Sequence, residues 1–301
     1  DAIFNILDHL STKYKNTNLT LSGGCAQNSS ANGKILQNSN FKNLFIPSNP
    51  GDGGGALGAA YYVNYYLNNQ KILKQTSGYL GTSFNSFQID ETIKKYLNVL
   101  NEQGCEINYY DNFNQLCDLV AKEIANKKVV GWFQDKMEWG PRALGNRSIL
   151  CDPRNPDIKQ LLNLKIKKRE NFRPFAPSIL FEEVGNWFEN FEKLEPYMSR
   201  VQHFKKEKIK IIPGVSHVDG TGRLQTVRES DNPKFYKLIK AFHNITNVPI
   251  LLNTSFNENE PIVHTPEEAV NCFLRTKMDI LVINNVCILR KKVKDTKNIF
   301  I

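Results

Sequence analysis

The sequence predicts an α/β fold. Short apolar runs that favour strands alternate with longer amphipathic patterns that favour helices along most of the 301 residues. Several predicted strands end in segments rich in glycine, proline or asparagine, which lead into the next helix. The composition, 41% hydrophobic and 23% charged, is that of an ordinary globular protein, and the length suffices for roughly two domains.

Two strand–glycine loop–helix units are predicted in the N-terminal part of the chain. The first loop contains Gly23 and Gly24, and the second carries Asp52 at its tip. Such loops let a backbone approach a nucleotide closely, but each alone is equally typical of a tight turn. Neither has the spacing of a dinucleotide or P-loop motif. The predicted elements are helices over 1–15, 28–37 and 56–68 and strands at 19–21 and 44–46.

A polar segment with two glycines, residues 71–86, predicts a linker to the next part of the chain. Beyond it, Asp90 is the predicted cap of a helix that continues to about residue 100. A second helix with an apolar stripe, 113–124, leads into an apolar strand at 129–133.

Arginines then occur at rigid backbone positions. Gly140 and Pro141 stop any helix. Arg142 and Arg147 follow within a few residues, and Arg173 lies directly before a second proline. Arginine presents a planar set of donors that matches phosphate and carboxylate oxygens. The combination predicts an anion site, although for any one arginine a structural role, bonding backbone carbonyls at a turn, is about equally expected.

A basic run follows the helix predicted over 158–166. Because charge runs at helix ends are usually solvated, these side chains are predicted to form exposed surface and are not assigned to the anion site. They are Lys165, Lys167, Lys168 and Arg169.

The C-terminal third is predicted to supply polar side chains near strand ends. Two short strands flanking Asp219 and Gly220 predict a hairpin, with Arg223 just past its turn. His217 and Asp219 are candidate catalytic residues there, but a structural role in the turn is the favoured interpretation. Asn253 follows an apolar strand, a usual position for a ligand-binding side chain. The other predicted elements are strands at 248–252, 280–283 and 286–289 and helices over 231–243 and 265–275.

Charge and cysteine usage restrict the function classes. The formal charge of +9 and the pI of about 9.1 suit polyanionic ligands such as nucleotides and phosphates. No RNA-binding signature or zinc-finger spacing accompanies the charge, so no nucleic-acid partner is expected. The six scattered cysteines predict reduced, buried thiols in a cytoplasmic protein. No apolar run approaches 18 residues, so no membrane partner is expected. Because the chain does not start with Met, we expect a fragment of a longer protein.

Six motifs carry a resemblance to a known family. They are SGGCAQN (22–28), PGDGGGALGAA (50–60), MEWGPRALGNRSIL (137–150), RPFAPSIL (173–180), HVDGTGRLQTV (217–227) and LLNTSFNENEPIVHTPEEA (251–269). In this order they resemble the O-carbamoyltransferases of the nodulation-protein, cephalosporin and tobramycin type. The resemblance covers nearly all of the chain, and its GPRALGNRSIL and NTSFN motifs are highly specific.

The resemblance implies a fold in two parts. Residues 1–75 resemble the C-terminal part of an actin/Hsp70-like Kae1-type domain, which would be incomplete here. Residues 76–301 resemble a YrdC-like domain with a twisted mixed sheet. In such families ATP and carbamoyl phosphate give carbamoyl adenylate in the YrdC-like domain. The carbamoyl group then passes to the hydroxyl of a small-molecule or glycan acceptor in the Kae1-like domain.

The resemblance also assigns site residues one at a time. Arg142 matches an arginine that contacts ATP, Arg173 matches one that binds carbamoyl phosphate, and Arg223 matches one that contacts both. Asn253 matches a further carbamoyl phosphate contact. The three arginines are the implied catalytic residues, which agrees with a chemistry that gathers charge on phosphoryl oxygens.

In the N-terminal part, the resemblance assigns Gly24 and Asn28 to adenylate binding and Asp52 to a divalent metal of the Fe or Mg type. The family's other metal ligands are two histidines one helical turn apart, and none of the five histidines of this chain pair in that way. A single aspartate does not hold a metal firmly. We therefore expect that these 301 residues alone do not transfer a carbamoyl group to an acceptor.

Two other interpretations stay open. A protein of tRNA modification that resembles threonylcarbamoyl-adenylate synthase would share the YrdC-like chemistry, and the basic charge would suit RNA. The order of the two parts and the GPRALGNRSIL motif argue against it. The second alternative is an inactive nucleotide-binding remnant.

Overall fold

The computed structural model describes residues 2–69, 77–170, 172–191 and 193–291, which form a mixed α/β fold. Helices α1 to α10 run over Ala2–Tyr14, Ser29–Lys34, Gly54–Asn68, Ser86–Glu102, Phe113–Ala125, Ile158–Lys165, Val184–Trp187, Lys206–Ile209, Pro233–Thr246 and Pro266–Arg275. Strands β1 to β12 run over Asn18–Thr20, Asn43–Phe45, Cys105–Tyr109, Val130–Phe133, Arg147–Cys151, Ala176–Leu180, Val201–His203, Thr221–Arg223, Gln225–Val227, Ile250–Ser255, Ile280–Ile283 and Val286–Arg290.

An eight-stranded mixed sheet forms the centre of the larger part, in the order β3-β12-β11-β4-β5-β10-β6-β9. The pairs β11–β4 and β6–β9 are parallel, and the other neighbours are antiparallel. Every residue of β4, β5, β6 and β11 is buried, as expected of strands that are covered on both faces. Helix α9 packs on β10 and β6, and α10 packs on β11 and β4.

Helix α9 shows how the sequence builds this core. It buries Phe235, Leu238, Ile239 and Phe242, which recur at the spacing of one helix face. Asn232 caps the helix, because its side-chain oxygen accepts a hydrogen bond from the backbone N–H of Phe235 at 3.1 Å. The buried face packs on α5 and on the sheet, so periodicity and cap together fix the position of α9.

The N-terminal unit, residues 2–69, has a small core of its own. Strands β1 and β2 pair in parallel, and Leu7, Ile35 and Phe41 form an apolar cluster separate from the main core. Helix α3 buries none of its side chains against the described residues. Its exposed large side chains are Tyr62, Val63, Tyr65, Tyr66 and Leu67.

Helix α2 docks the N-terminal unit on the larger part. Asn32 Nδ2 donates to the carbonyl oxygen of Ala26 at 2.7 Å within the unit and to that of Ser199 at 2.9 Å across the contact. Ser29 Oγ accepts a hydrogen bond from Arg223 Nε at 2.9 Å. These contacts place α2 beside β7 and β8, next to the site described below.

Elements with strong local signals are confirmed. The helix predicted over 113–124 is α5, and the helix predicted over 158–166 is α6. Thr265 caps α10 in a capping box with Glu268, as predicted. The C-terminal hairpin is also confirmed, since β11 and β12 pair antiparallel across Asn284 and Asn285.

Other predictions about elements are wrong. Asp90 is not a cap, because α4 begins at Ser86 and Asn85 caps it in a capping box with Gln88. The hairpin flanking Asp219 and Gly220 does not form, since the residues before the turn are not in a strand and β8 pairs with β7 instead. Strands β3, β5 and β6 were not expected from the sequence.

The predicted linker falls partly outside the described residues, since 70–76 are not among them. Its later part, residues 77–86, makes backbone hydrogen bonds to the larger part and is not a free linker. The backbone N–H of Gly81 donates to the carbonyl oxygen of Met137 at 2.9 Å, and the N–H of Trp139 donates to that of Gly78 at 2.7 Å. This segment therefore runs alongside the residues that precede Arg142.

All six cysteines are free thiols, and five are buried as predicted, whereas Cys25 is exposed. Burial raises the pKa of Cys117, Cys272 and Cys287 to about 12, which keeps these thiols protonated. Among the described helices, none is long and apolar enough to cross a membrane.

Gly145 is a position where the fold requires glycine. Its φ is +107°, and a Cβ there would meet the Phe235 ring at 2.2 Å. We expect Gly145→Ala to lower the free energy of unfolding by about 3 kcal/mol, from backbone strain and overpacking together. Gly104→Ala is the matched control, because Gly104 also has a positive φ but open space around it, and should lose about 1 kcal/mol. Urea unfolding of both variants measures this, and equal losses would contradict the steric argument.

Candidate functional site

A cavity of about 370 Å³ lies where the N-terminal unit meets the larger part. Its wall combines the end of β10, the residues after α6, the loop between β4 and β5, strand β8 and the start of α2. None of the described residues that line it carries a carboxylate. The polar and charged lining side chains are Ser29, Ser30, Arg142, Arg169, His217, Arg223, Asn253, Thr254 and Ser255.

The loop that carries Arg142 is shaped by a buried carboxylate. Glu138 Oε1 accepts hydrogen bonds from the backbone N–H groups of Leu144 at 2.6 Å, Asn146 at 2.8 Å and Arg147 at 3.3 Å. These donors would otherwise be buried without partners. The loop is thereby fixed, and Arg142 is presented at the cavity wall. Glu138 lies within the MEWGPRALGNRSIL motif, but no role was predicted for it. An acidic residue just before a Gly-Pro turn was the available signal.

Arg147 has the structural role that was the alternative prediction for a single arginine. Its guanidinium is fully buried and donates to the carbonyl oxygens of Gln134, Asn146, Thr82 and Asp135. It lies over the Phe133 ring, 3.5 Å from the centroid. Burial lowers the pKa of Arg147 to about 10. This arginine fastens the loop and does not face the cavity.

Arg142 and Arg223 give the cavity its positive charge. Burial lowers the pKa of Arg142, and burial together with the charge of Arg142 lowers the pKa of Arg223 to about 10. No carboxylate of the described residues offsets either charge, and the Nε of Arg223 donates to Ser29 Oγ. Two half-buried guanidinium groups that repel each other form a site that an anion would stabilise.

Asn253 supplies the cavity with a buried hydrogen-bond acceptor. Its Nδ2 donates to the carbonyl oxygen of Ala143 at 3.3 Å, to Ser178 Oγ at 3.0 Å and to Gln225 Oε1 at 3.1 Å. These contacts fix the orientation of the amide, because a carbonyl oxygen can only accept. Its Oδ1 is buried and has no partner in the described part of the chain. A bound donor group would satisfy it.

The structure brings together three of the four residues assigned to ATP and carbamoyl phosphate, namely Arg142, Arg223 and Asn253. Arg173 does not line the cavity, although its neighbours Pro174 and Phe175 do. The Arg173 side chain is half-exposed and pairs with Glu170 at 2.9 Å. Its assignment stays a prediction.

The prediction of a solvated basic surface after α6 is wrong for two residues. Lys167 is buried, and its Nζ donates to the backbone and side-chain oxygens of Ser255 and Asn257 at 2.5 to 3.2 Å. Arg169 lines the cavity and donates to Asn163 Oδ1 at 2.8 Å. The helix ends at Lys165, so its surface periodicity does not extend to these residues. Lys168 is exposed, as predicted, and pairs with Glu258.

The N-terminal residues assigned to adenylate and metal do not line this cavity. Asn28 caps α2, with its Oδ1 accepting from the N–H of Ala31 at 3.1 Å, and Gly24 begins a short 3₁₀ turn. Asp52 is exposed at the edge of a second cavity of about 450 Å³, which also includes Gly23 and Trp139. In the described ranges no group of three or more His, Cys, Asp or Glu residues could hold a metal.

The chain matches the models of two parts of one family. Residues 1–61 match the carbamoyltransferase N-terminus and residues 121–290 match the carbamoyltransferase C-terminus. The chain therefore belongs to the carbamoyltransferase family.

Curated relatives agree with this membership. An uncharacterized protein of Synechocystis sp., sll1178, is 43% identical over 89% of this chain and 47% of its own length. Nodulation protein NolNO of Sinorhizobium fredii is 39% identical over 96% of this chain and 42% of its own length. A 3'-hydroxymethylcephem-O-carbamoyltransferase of Amycolatopsis lactamdurans is 33% identical over 80% of this chain and 42% of its own length. The chain thus spans about half the length of these relatives.

The buried ammonium of Lys167 predicts a pH dependence of stability. Burial lowers its pKa from 10.5 to about 7, so between these values the unfolded chain binds a proton that the folded chain has lost. Stability contributed by this site therefore rises with pH. We expect the free energy of unfolding of the wild type, relative to Lys167→Met, to increase by about 2 kcal/mol from pH 7 to pH 9. Urea unfolding at both pH values measures it, with Lys168→Met as the exposed control. A difference independent of pH would contradict the assignment.

Proposed function

We propose that this chain is the C-terminal part of an O-carbamoyltransferase and that its arginine-lined cavity binds ATP and carbamoyl phosphate. The observation that carries the proposal is the convergence of Arg142, Arg223 and Asn253 in one cavity whose described lining residues carry no carboxylate. Family membership supports the reaction class. The name of the cephem O-carbamoyltransferase supports a hydroxyl group as the acceptor.

In this proposal the site forms carbamoyl adenylate. ATP, carbamoyl phosphate and one water give carbamoyl adenylate, pyrophosphate and phosphate, so negative charge shifts among phosphoryl oxygens without any nucleophile from the protein. Arg142 and Arg223 would bind those oxygens and stabilise the developing charge. Arg169, which also lines the cavity, adds a third guanidinium. Asn253 Oδ1 would accept a hydrogen bond from the carbamoyl amide, which satisfies the buried atom.

We propose that Arg173 also binds carbamoyl phosphate. In this structure its side chain does not line the cavity. Its side chain is half-exposed and pairs with Glu170. An exposed ion pair of this kind contributes little stability, so exchanging it for a phosphate is energetically accessible.

The second half of the reaction is proposed for the N-terminal unit, as part of a Kae1-like domain beside a YrdC-like domain. Gly24 and Asn28 would hold the adenylate there, and Asp52 would contribute to a divalent metal site. One exposed carboxylate is not a metal site by itself, and in the described ranges no group of three or more His, Cys, Asp or Glu residues could hold a metal. No step of the proposal therefore passes through a metal.

Calorimetric titration of the chain with ATP and with carbamoyl phosphate tests the first step. Arg142→Gln should weaken ATP binding and Arg223→Gln should weaken binding of both ligands, each by about 1.5 to 3 kcal/mol, because each loses a charge-assisted hydrogen bond. Arg173→Ala should weaken carbamoyl phosphate alone. Lys168→Gln is the matched control, since Lys168 is exposed and lies outside the cavity.

Unchanged affinity in both Arg142→Gln and Arg223→Gln would reject the assignment of the cavity. Formation of an adenylate from bicarbonate and threonine, but not from carbamoyl phosphate, would favour the tRNA-modification chemistry instead. Absence of nucleotide binding in the wild type would favour the inactive remnant.

A further test concerns transfer. The 301 residues, supplied with carbamoyl phosphate, ATP, Fe²⁺ or Mg²⁺ and a hydroxyl acceptor, should give no carbamoylated acceptor, because the sequence has no pair of histidines one helical turn apart to share a metal with Asp52. Mass spectrometry of the acceptor measures this. Carbamoylation by the chain alone would refute the expectation.

A further inference from the structure

His217 lines the arginine cavity with a side chain that the reaction proposed above does not use. Its backbone has the turn role that the sequence favoured. The N–H of His217 donates to the carbonyl oxygen of Thr221 at 2.8 Å, and its carbonyl oxygen accepts from the N–H of Gly220 at 3.0 Å. The turn is therefore held by the backbone, and the imidazole is available for another role.

The hydrogen bonds of the neighbouring side chains define the tautomer of His217. Thr221 Oγ1 lies 2.7 Å from Asp219 Oδ1, and an ionised carboxylate can only accept, so the threonine hydroxyl donates to it. The hydroxyl oxygen, Thr221 Oγ1, then accepts a hydrogen bond from His217 Nδ1, which lies 3.0 Å away. His217 Nδ1 must therefore carry the proton. The other ring nitrogen, Nε2, keeps its lone pair. It is buried and has no partner in the part of the chain that the structure describes.

Burial, with two neighbouring positive charges in addition, favours the neutral form of the His217 ring. Burial lowers the pKa of His217 below 6.5; Asp219 opposes this, and Lys159 and Arg223 add to it. A neutral imidazole with a protonated Nδ1 is a hydrogen-bond acceptor at Nε2. The cavity is therefore lined by arginines that carry guanidinium donors and by His217 and Asn253. The buried acceptors His217 Nε2 and Asn253 Oδ1 have no partner among the described residues.

We infer that His217 Nε2 accepts a hydrogen bond from an amide N–H of the bound ligand, so that the site selects a carbamoyl group over an acyl group of the same shape without N–H. The inference rests on the proposed function and names the part of the ligand that this residue recognises. A carbamoyl amide has two N–H bonds, and two lining residues, His217 and Asn253, each carry one buried acceptor without a partner in the described ranges.

Selectivity follows from leaving a buried acceptor unsatisfied. A methyl group in place of the amide has nearly the same size but no donor, so binding it would keep Nε2 unpaired and away from water. Sites that are built to hydrogen-bond a ligand N–H discriminate strongly against analogues that lack it. Inorganic phosphate uses only the arginines and should not depend on His217.

The experiment titrates the whole chain with carbamoyl phosphate, acetyl phosphate and inorganic phosphate, in the wild type and in His217→Ala and His217→Gln. The wild type should prefer carbamoyl phosphate over acetyl phosphate, and His217→Ala should lower this preference about tenfold, the contribution of one hydrogen bond. The affinity for inorganic phosphate should change less than twofold. His217→Gln should keep part of the preference, because its side-chain oxygen can accept.

The outcomes separate the inference from the proposed function. If the wild type binds neither carbamoyl phosphate nor inorganic phosphate, the proposed function fails and the inference fails with it. If all three proteins bind inorganic phosphate equally and His217→Ala keeps the full preference, the inference is wrong and the proposed function stands. If both variants lose inorganic phosphate as well, His217 supports the fold or the phosphate position, and its role in amide recognition is refuted.

Discussion

One buried carboxylate determines the shape of the loop on which the site depends. Glu138 accepts three backbone N–H groups from the turn that follows it, and Arg147 fastens the same loop to the carbonyl oxygens of neighbouring segments. Both charges are buried and attract each other, and Glu138 Oε1 and the terminal nitrogens of Arg147 hydrogen-bond to backbone groups. Glu138 Oε2 and Arg147 Nε have no partner in the described ranges. A loop that is fixed in this way can present Arg142 at the cavity without relying on Arg142 for its own stability.

In the cavity, two positive charges repel each other and two buried acceptors have no partner among the described residues. Arg142 lowers the pKa of Arg223, so the two guanidinium groups destabilise each other. His217 Nε2 and Asn253 Oδ1 are buried without partners in the described ranges. Repelling donors and unsatisfied acceptors in one small volume lower the stability of the chain, and a ligand with phosphoryl oxygens and an amide would relieve both. The backbone hydrogen bonds of the surrounding loop and sheet hold these groups in position.

Elements that depend on neighbouring residues were predicted from the sequence, whereas pairings between distant segments were not. The apolar stripe of α5 and the capping box at Thr265 depend on neighbouring residues, and both are present. The hairpin expected at Gly220 is absent because Gly222 pairs with Gln202 on another segment, which no local pattern indicates. Lys167 was misjudged because burial after a helix end depends on where β10 terminates. At the site, the family resemblance named Arg142, Arg223 and Asn253, whereas Glu138 and Arg169 emerged only from their contacts.

The hydrogen bond between Ser29 Oγ and Arg223 Nε joins the first unit of the chain to the cavity of the second. An arginine whose orientation is set partly by another unit acts as a thermodynamic link between them. Any shift of α2 changes the free energy with which Arg223 binds a phosphate. By reciprocity, a bound phosphate changes the free energy with which α2 docks on the larger part by the same amount. The Ser29–Arg223 hydrogen bond therefore couples occupancy of the cavity to the position of α2.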